Sequence, residues 1–173
     1  MIALLLALTA PVPQQTETMK VRPSTEAEAV AEFEATCVAG LYDVMALKRA
    51  VAASPRGYRL DGSDTAASWR NWLSPWGTIH FLEGIAATSG MAPKCNLTSF
   101  TRAPVDRGAL EAALREMAKR HSVRGYVEDR DNARGRFWSW YNAARQPMTA
   151  EVHLDRRTPQ QIVLMLKPYA VQK

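Results

Sequence analysis

Apolar residues recur with the period of an α-helix in the first third of the chain. Thr25 and Glu28 form a capping box where this helix begins, and Ser54-Pro55 ends it, because proline disfavours helical geometry in the residue before it. Between these signals the spacing of three and four is kept by Val30, Phe33, Cys37, Leu41, Val44, Leu47 and Val51. The pattern predicts one long helix with a single apolar side.

A second helical period follows Asp106, which is placed to cap the first turn. Its buried side is predicted to consist of Leu110, Ala113, Leu114, Met117 and His121. Gly125 is the expected end of this helix, because glycine readily adopts the left-handed conformation that closes many helices.

Runs rich in β-branched and aromatic residues predict strands after each helix. The predicted strands are residues 57–60, 77–83, 94–102, 137–141, 149–155 and 161–166. Residues 86–93 are predicted as a loop, 129–135 as a charged hairpin tip, and the stretch from Trp69 to Trp76 as irregular. The run at 161–166 is apolar throughout, which is typical of a strand inside a sheet rather than at its edge.

Each helix is followed by a similar pentapeptide, Ser54-Pro55-Arg56-Gly57-Tyr58 and Ser122-Val123-Arg124-Gly125-Tyr126. The similarity predicts a tandem αβββ repeat with units 24–104 and 105–173. The expected fold class is therefore α+β, with two helix-plus-antiparallel-meander units in one domain and the helices on one face of the sheet. The alternative is a single α+β domain in which similar turns arose without duplication.

The N-terminus predicts export. Residues 2–10 are almost wholly apolar and precede a polar, proline-bearing stretch, as in a secretory signal followed by a linker. We therefore expect a signal segment and linker over residues 1–23 and a single domain over 24–173. No basic residue precedes the apolar run, and the alternative interpretation is an apolar tail or a first strand. No run of about 18 apolar residues is present to span a bilayer.

The two cysteines, Cys37 and Cys95, agree with an oxidising compartment, where they are expected to form a disulfide that joins the first helix to a strand. Such a bridge would stabilise the fold by about 4 kcal/mol. The alternative is a cytoplasmic protein with two buried thiols. Asn96-Leu97-Thr98 also matches a glycosylation sequon, which matters only in a eukaryotic secretory route.

Charge and aromatic residues predict a binding surface. The net charge is +5, and the stretch from Arg102 to Arg145 holds ten basic and six acidic residues, which favours an anionic envelope component or another protein as partner. Nucleic acid is not the expected partner, because the arginines alternate with acidic residues. The candidate ligand-binding residues are Trp69, Arg70, Trp72, Trp76, Arg136, Trp138 and Trp140. Ordinary core packing is the alternative role for these aromatic rings.

Few residues suggest catalysis. His80, His153 and Asp155 are the weak catalytic candidates, and His153 and Asp155 are expected on one face of a strand. Phosphate-binding loops and nucleophile elbows are missing from the sequence, and no cofactor or metal is expected. The sequence therefore favours a small periplasmic or secreted noncatalytic binding protein. The alternatives are a hydrolase-type enzyme with a dispersed His/Asp site and a structural subunit of a larger assembly.

Overall fold

A computed structural model describes residues 21–61, 69–83, 92–131 and 135–168. In these ranges the chain forms three α-helices, one π-helical turn and eight strands. The helices are α1 (Glu26–Phe33), α2 (Val44–Ala53) and α3 (Arg107–His121), and the π-helical turn is Glu34–Val38. The strands are β1 (Arg59–Leu60), β2 (Trp69–Ser74), β3 (Gly77–Leu82), β4 (Lys94–Phe100), β5 (Arg124–Asp131), β6 (Gly135–Tyr141), β7 (Pro147–His153) and β8 (Gln161–Lys167).

Helix capping follows the sequence closely. The Thr25 hydroxyl accepts a hydrogen bond from the backbone N–H of Glu28, and the Glu28 carboxylate accepts one from the N–H of Thr25, which completes the predicted capping box. Asp106 caps α3 by accepting from the N–H of Ala109. Both predicted helix starts are thus confirmed.

The predicted long helix is divided into two. After the π-helical turn the chain leaves helical geometry, and Asp43 begins α2 by accepting from the backbone N–H groups of Met45 and Ala46. Gly40 lies against Leu47 so closely that a Cβ at position 40 would come within 2.4 Å of the Leu47 Cβ. At this close approach α2 packs against the π-helical turn, an arrangement that the apolar spacing alone did not predict.

The eight strands form a single antiparallel sheet in the order β1-β2-β3-β4-β8-β7-β6-β5. Strand β8 pairs with β4 on one side and β7 on the other, so the prediction that 161–166 lies inside the sheet is confirmed. Two strands were not predicted: β2 lies in the stretch taken as irregular, and β5 includes part of the supposed hairpin tip. α3 ends at His121, and Gly125 belongs to β5 with φ of 71°.

One face of the sheet, which we call the core face, supplies every strand residue of the hydrophobic core. Trp138 and Trp140 on β6 are its largest fully buried side chains and pack in one cluster with Phe33, Leu110 and Leu114 of the helices. Cys37 and Cys95 form the predicted disulfide, with both residues fully buried. The bridge ties the π-helical turn to β4 at the centre of the sheet.

A buried ion pair fixes the end of α2. The Arg56 Nε lies 3.2 Å from the Glu32 Oε2, and only 10% and 8% of the two side chains are exposed. The Ser54 hydroxyl donates to the second Glu32 oxygen, and Arg56 also donates to the Ser24 hydroxyl. These bonds satisfy the buried charges and hold the chain around Ser24 against α2.

The described helices include none that is both long and apolar enough to cross a membrane. Residues 1–20 of the predicted signal segment and linker lie outside the described residues. So do residues 86–91 of the predicted loop at 86–93. Those expectations stay predictions.

Candidate functional site

The face of the sheet opposite the core face, here called the polar face, gathers side chains of mixed chemistry. Strand register places Asn71, His80 and Asn96 side by side on β2, β3 and β4. The same row continues through Met165 to Glu151 on β8 and β7. Because side chains alternate along a strand, the residues two positions away lie on the same face. The polar face therefore carries two groups of polar side chains, one on β2–β4 and the other on β7–β8.

The first group, the β2–β4 cluster, consists of Trp69, Asn71, Thr78, His80, Lys94, Asn96 and Thr98. The His80 Nδ1 is hydrogen-bonded to the Asn71 Oδ1, and its Nε2 lies 3.1 Å from the Thr78 hydroxyl. Since a carboxamide oxygen only accepts, Nδ1 carries the hydrogen of this bond. The imidazole is thus fixed between an amide and a hydroxyl.

Asn96 contributes an unsatisfied acceptor to this cluster. Its Oδ1 is buried, and no hydrogen-bond donor in the described part of the chain reaches it. An unpaired buried acceptor costs about 1–3 kcal/mol, so such a group in a folded protein calls for an explanation. The neighbouring side chains in register are His80 on one side and Met165 on the other.

Trp69 and Lys94 lie at one end of the β2–β4 cluster. Trp69 is directly opposite Leu82, which is in turn opposite Lys94, so the three residues form a row beside Asn71, His80 and Asn96. Trp69 is 38% exposed. The Lys94 ammonium forms no ion pair within the described ranges. The row therefore offers a partly exposed ring and a lysine that has no ion pair with a described carboxylate.

The second group, the β7–β8 cluster, is an ion network of Glu151, His153 and Lys167. The Lys167 Nζ lies 2.5 Å from one Glu151 oxygen, and the His153 Nε2 lies 3.4 Å from the other. The neighbouring His153 contributes most to lowering the pKa of Glu151 to about 2; Lys167 adds to the effect, and burial of the carboxyl opposes it. Glu151 is therefore a carboxylate at neutral pH, and its charge is already paired.

The three catalytic candidates do not come together. His80 and His153 share the polar face, but β4 and β8 lie between their strands, which corresponds to about 14 Å across the sheet. Asp155 lies beyond the end of β7, where its carboxylate accepts from the backbone N–H of Arg157 at 2.9 Å. The expectation that His153 and Asp155 share a strand face is wrong, because the strand ends at His153.

Of the predicted tryptophan set, only Trp69 presents much of its ring to solvent. Trp72, Trp138 and Trp140 are buried in the core, the last two with 0% and 1% exposed. Trp76 is half-buried in the turn between β2 and β3, where the guanidinium groups of Arg22 and Arg56 lie 5.9 and 5.2 Å from its ring centre. Three of these rings thus pack internally and a fourth is covered by arginine side chains.

The two predicted binding arginines are engaged in ion pairs. Arg136 is 2.9 Å from Glu111 and 3.1 Å from Glu128, which ties β5 and β6 to α3. Arg70 lies 3.7 Å from Glu83. Arg136 is therefore part of the link between helix and sheet, and Arg70 is near a carboxylate at the end of β3.

Sequence reasoning did not single out Asn71, Thr78 or Lys94, and it noted Asn96 and Thr98 only as parts of a glycosylation sequon. A sequence signal for these residues was present, since polar residues alternate with apolar ones in Thr78-Ile79-His80 and in Asn96-Leu97-Thr98.

Comparison of the chain with protein-family models, with curated proteins and with solved structures gave no match.

Proposed function

We propose that the chain is an exported, noncatalytic binding protein that contacts its partner through the polar face. The observation that carries the proposal is the disulfide between Cys37 and Cys95. Disulfides persist in oxidising compartments and are rare in the cytosol. The apolar residues 2–10 add support from the sequence, because they are typical of a secretory signal.

The expected location is the periplasm or the exterior, and the expected partner is an anionic envelope component or another protein. The net charge of +5 favours an anionic partner. Lys94 also favours an anionic partner, because this lysine lies on the polar face and has no ion pair in the described ranges.

We further propose that residues 24–173 form one domain built from a tandem repeat, with the helices on the core face. The strand order is symmetric about the β4–β8 pair, since each half is a meander of four strands. Ser54 and Ser122 both follow the last helical residue in extended conformation, and Gly57 and Gly125 both have positive φ, of 63° and 71°. These matched positions support duplication of one unit.

The test of export is intact-mass analysis of the protein isolated from its native host without reducing agent. We expect a mass that lacks the leader and both thiol hydrogens. A full-length, fully reduced product in the cytoplasmic fraction would overturn the proposal. Addition of a reducing agent to the denatured sample is the control, because it must restore the mass of the two hydrogens.

A hydrolase-type enzyme is the second candidate function, and one contact favours it. The Thr78 hydroxyl, the His80 imidazole and the Asn71 amide are linked in series by hydrogen bonds, which is the connectivity of a nucleophile, a base and an orienting group. The test is hydrolysis of an activated ester, with His153→Gln as the matched control. Activity that is lost in Thr78→Val and His80→Gln but kept in the control would support this candidate, and inactive wild-type protein would reject it.

A further inference from the structure

Three exposed apolar side chains lie close together at one end of the sheet. Val123 is 61% exposed, Met45 54% and Tyr42 36%. Single exposed apolar residues are ordinary on protein surfaces, whereas a group of them on one surface indicates a site of interaction.

Backbone and hydroxyl contacts place these side chains on one surface. The backbone N–H of Val123 donates to the carbonyl of Tyr141, which is opposite Pro147 in the sheet. The Tyr42 hydroxyl donates to the carbonyl of the same Pro147. Val123 and Tyr42 therefore reach the ends of two adjacent strands, β6 and β7, which are about 5 Å apart. Met45 is three residues after Tyr42, in the first turn of α2.

The helices meet at the same end. His121 is the last residue of α3, and its Nε2 lies 2.7 Å from one oxygen of Glu34. The Arg120 guanidinium donates to the other Glu34 oxygen at 2.6 Å. Glu34 begins the π-helical turn that leads towards Tyr42. The segments that carry Tyr42 and Val123 are therefore joined through the helices as well as through the sheet.

Arginines stand beside the apolar side chains. Arg124 begins β5, and Arg145 lies in the turn between β6 and β7. Both are exposed, and neither forms an ion pair with a described carboxylate. Arg49 is one helical turn after Met45, on the same side of α2. We call this set the end surface: Tyr42, Met45, Arg49, Val123, Arg124 and Arg145.

Positive charge prevails in the chain segments that form the end surface. Residues 34–49, 119–124 and 141–147 contain six lysines and arginines and two carboxylates, those of Glu34 and Asp43. Glu34 faces Arg120, and Asp43 lies 3.9 Å from Arg49. Glu116, in the preceding turn of α3, offsets Lys119. The remaining basic side chains favour an anionic partner.

This mixture of side chains suits the headgroup layer of a bilayer better than a protein partner. Protein interfaces have a continuous apolar core from which charged residues are depleted. On the end surface, by contrast, Val123 adjoins Arg124 and Met45 is one turn from Arg49. In a headgroup layer arginines bind phosphate groups, while single apolar side chains and a tyrosine ring reach the acyl boundary. Unpaired arginines also favour anionic lipids over neutral ones.

We infer that the end surface docks on a bilayer that contains anionic phospholipids. Met45, Val123 and the Tyr42 ring enter the headgroup layer, and Arg124 and Arg145 bind lipid phosphates. This inference goes beyond the proposed function, because it adds a second contact surface apart from the polar face. Its test changes no side chain of the polar-face clusters.

The experiment measures flotation of the purified, oxidised, exported protein with vesicles. One set contains equal parts of phosphatidylglycerol and phosphatidylcholine, and the other contains phosphatidylcholine alone. We expect binding to the anionic vesicles that exceeds binding to the neutral ones and weakens as salt is added. Absence of binding to the anionic vesicles, or equal binding to both sets, would overturn the inference. Equal affinity for soluble poly-glutamate would also overturn it, because an acidic polypeptide would then suffice as partner.

Arg124→Gln/Arg145→Asn tests the contribution of charge. Its matched control is Arg156→Gln/Arg157→Gln, which removes two exposed arginines without described ion pairs from the loop between β7 and β8, at the other end of the sheet. We expect the first variant to bind anionic vesicles about thirtyfold more weakly and the control to bind like the wild type. Equal losses in the two variants would show attraction to net charge alone and would refute the inference.

Met45→Ser/Val123→Ser tests insertion of the apolar side chains, with Val21→Ser/Leu154→Ser at the other end of the sheet as its matched control. All four side chains are exposed, so the thermal midpoints should stay close to that of the wild type. We expect about tenfold weaker binding in the first variant and unchanged binding in the control. Unchanged affinity in Met45→Ser/Val123→Ser would contradict docking through this surface. A protein that is exported and oxidised but binds no vesicles would refute this inference alone and leave the proposed function standing.

Discussion

Removal of the disulfide is the perturbation whose effect follows most directly from the structure. Cys37 and Cys95 are 58 residues apart in sequence. In the chain-entropy model, a closed loop of this length restricts the unfolded chain enough to stabilise the folded state by about 4 kcal/mol. We therefore expect the Cys37→Ala/Cys95→Ala variant to lose about that much free energy of unfolding.

Urea denaturation followed by tryptophan fluorescence measures this loss, since the buried Trp138 and Trp140 become exposed on unfolding. For a domain of this size, 1 kcal/mol corresponds to about 2–4 °C in the thermal midpoint, so a fall of about 8–16 °C is expected. The m-value, which is the slope of the unfolding free energy against urea concentration, should also increase, because the unlinked chain exposes more surface when it unfolds.

Wild-type protein that is reduced after unfolding, and then refolded in reducing agent, is the control. It keeps both cysteine side chains in the core and lacks only the covalent link. Its stability should lie close to that of the double variant. If reduced and oxidised wild type unfold at the same urea concentration, the reasoning from loop closure is refuted.

Two further predictions concern charge. Arg56→Ala is expected to destabilise the protein by about 3–5 kcal/mol, because it leaves the buried Glu32 carboxylate without its cation, whereas Arg107→Ala, at a side chain 60% exposed, should change stability by less than about 1 kcal/mol. Equal urea midpoints for these two variants would contradict the account of the buried pair. The second prediction concerns acid. Because the folded-state pKa of Glu151 is about 2, below its ordinary value of 4.5, its contribution to stability is complete above pH 4.5 and is lost as the pH falls towards about 2. Urea midpoints measured across this range should fall more steeply for the wild type than for Glu151→Gln, and parallel curves would count against the pairing with His153 and Lys167.

Local signals in the sequence predicted much of the fold. The capping residues Thr25 and Asp106 marked both helix starts, since their hydrogen bonds involve only neighbouring backbone. The apolar run at 161–166 identified a central strand. The break before α2 was missed although Asp43 is a good capping residue, because the apolar spacing continues across it.

The missing strands and the candidate site depend on long-range pairing. β5 carries many charged residues, and its strand conformation comes from pairing with β6 rather than from its own preference. In the same way, the meeting of Asn71, His80 and Asn96 depends on the register of three strands. Trp138 and Trp140 were assigned to a binding surface because sequence alone does not tell which face of a strand is buried.

The position of β8 has a consequence for biosynthesis. The strand that joins the two halves of the sheet, residues 161–167, is the last of the eight described strands in chain order and is therefore made after the other seven. A nascent chain on the ribosome lacks the partner of β4 until β8 has been synthesised, so the hydrogen bonds between these two central strands form after the other seven strands have been made. Both cysteines, in contrast, belong to the first half, and an oxidase could link them while the second half is still emerging.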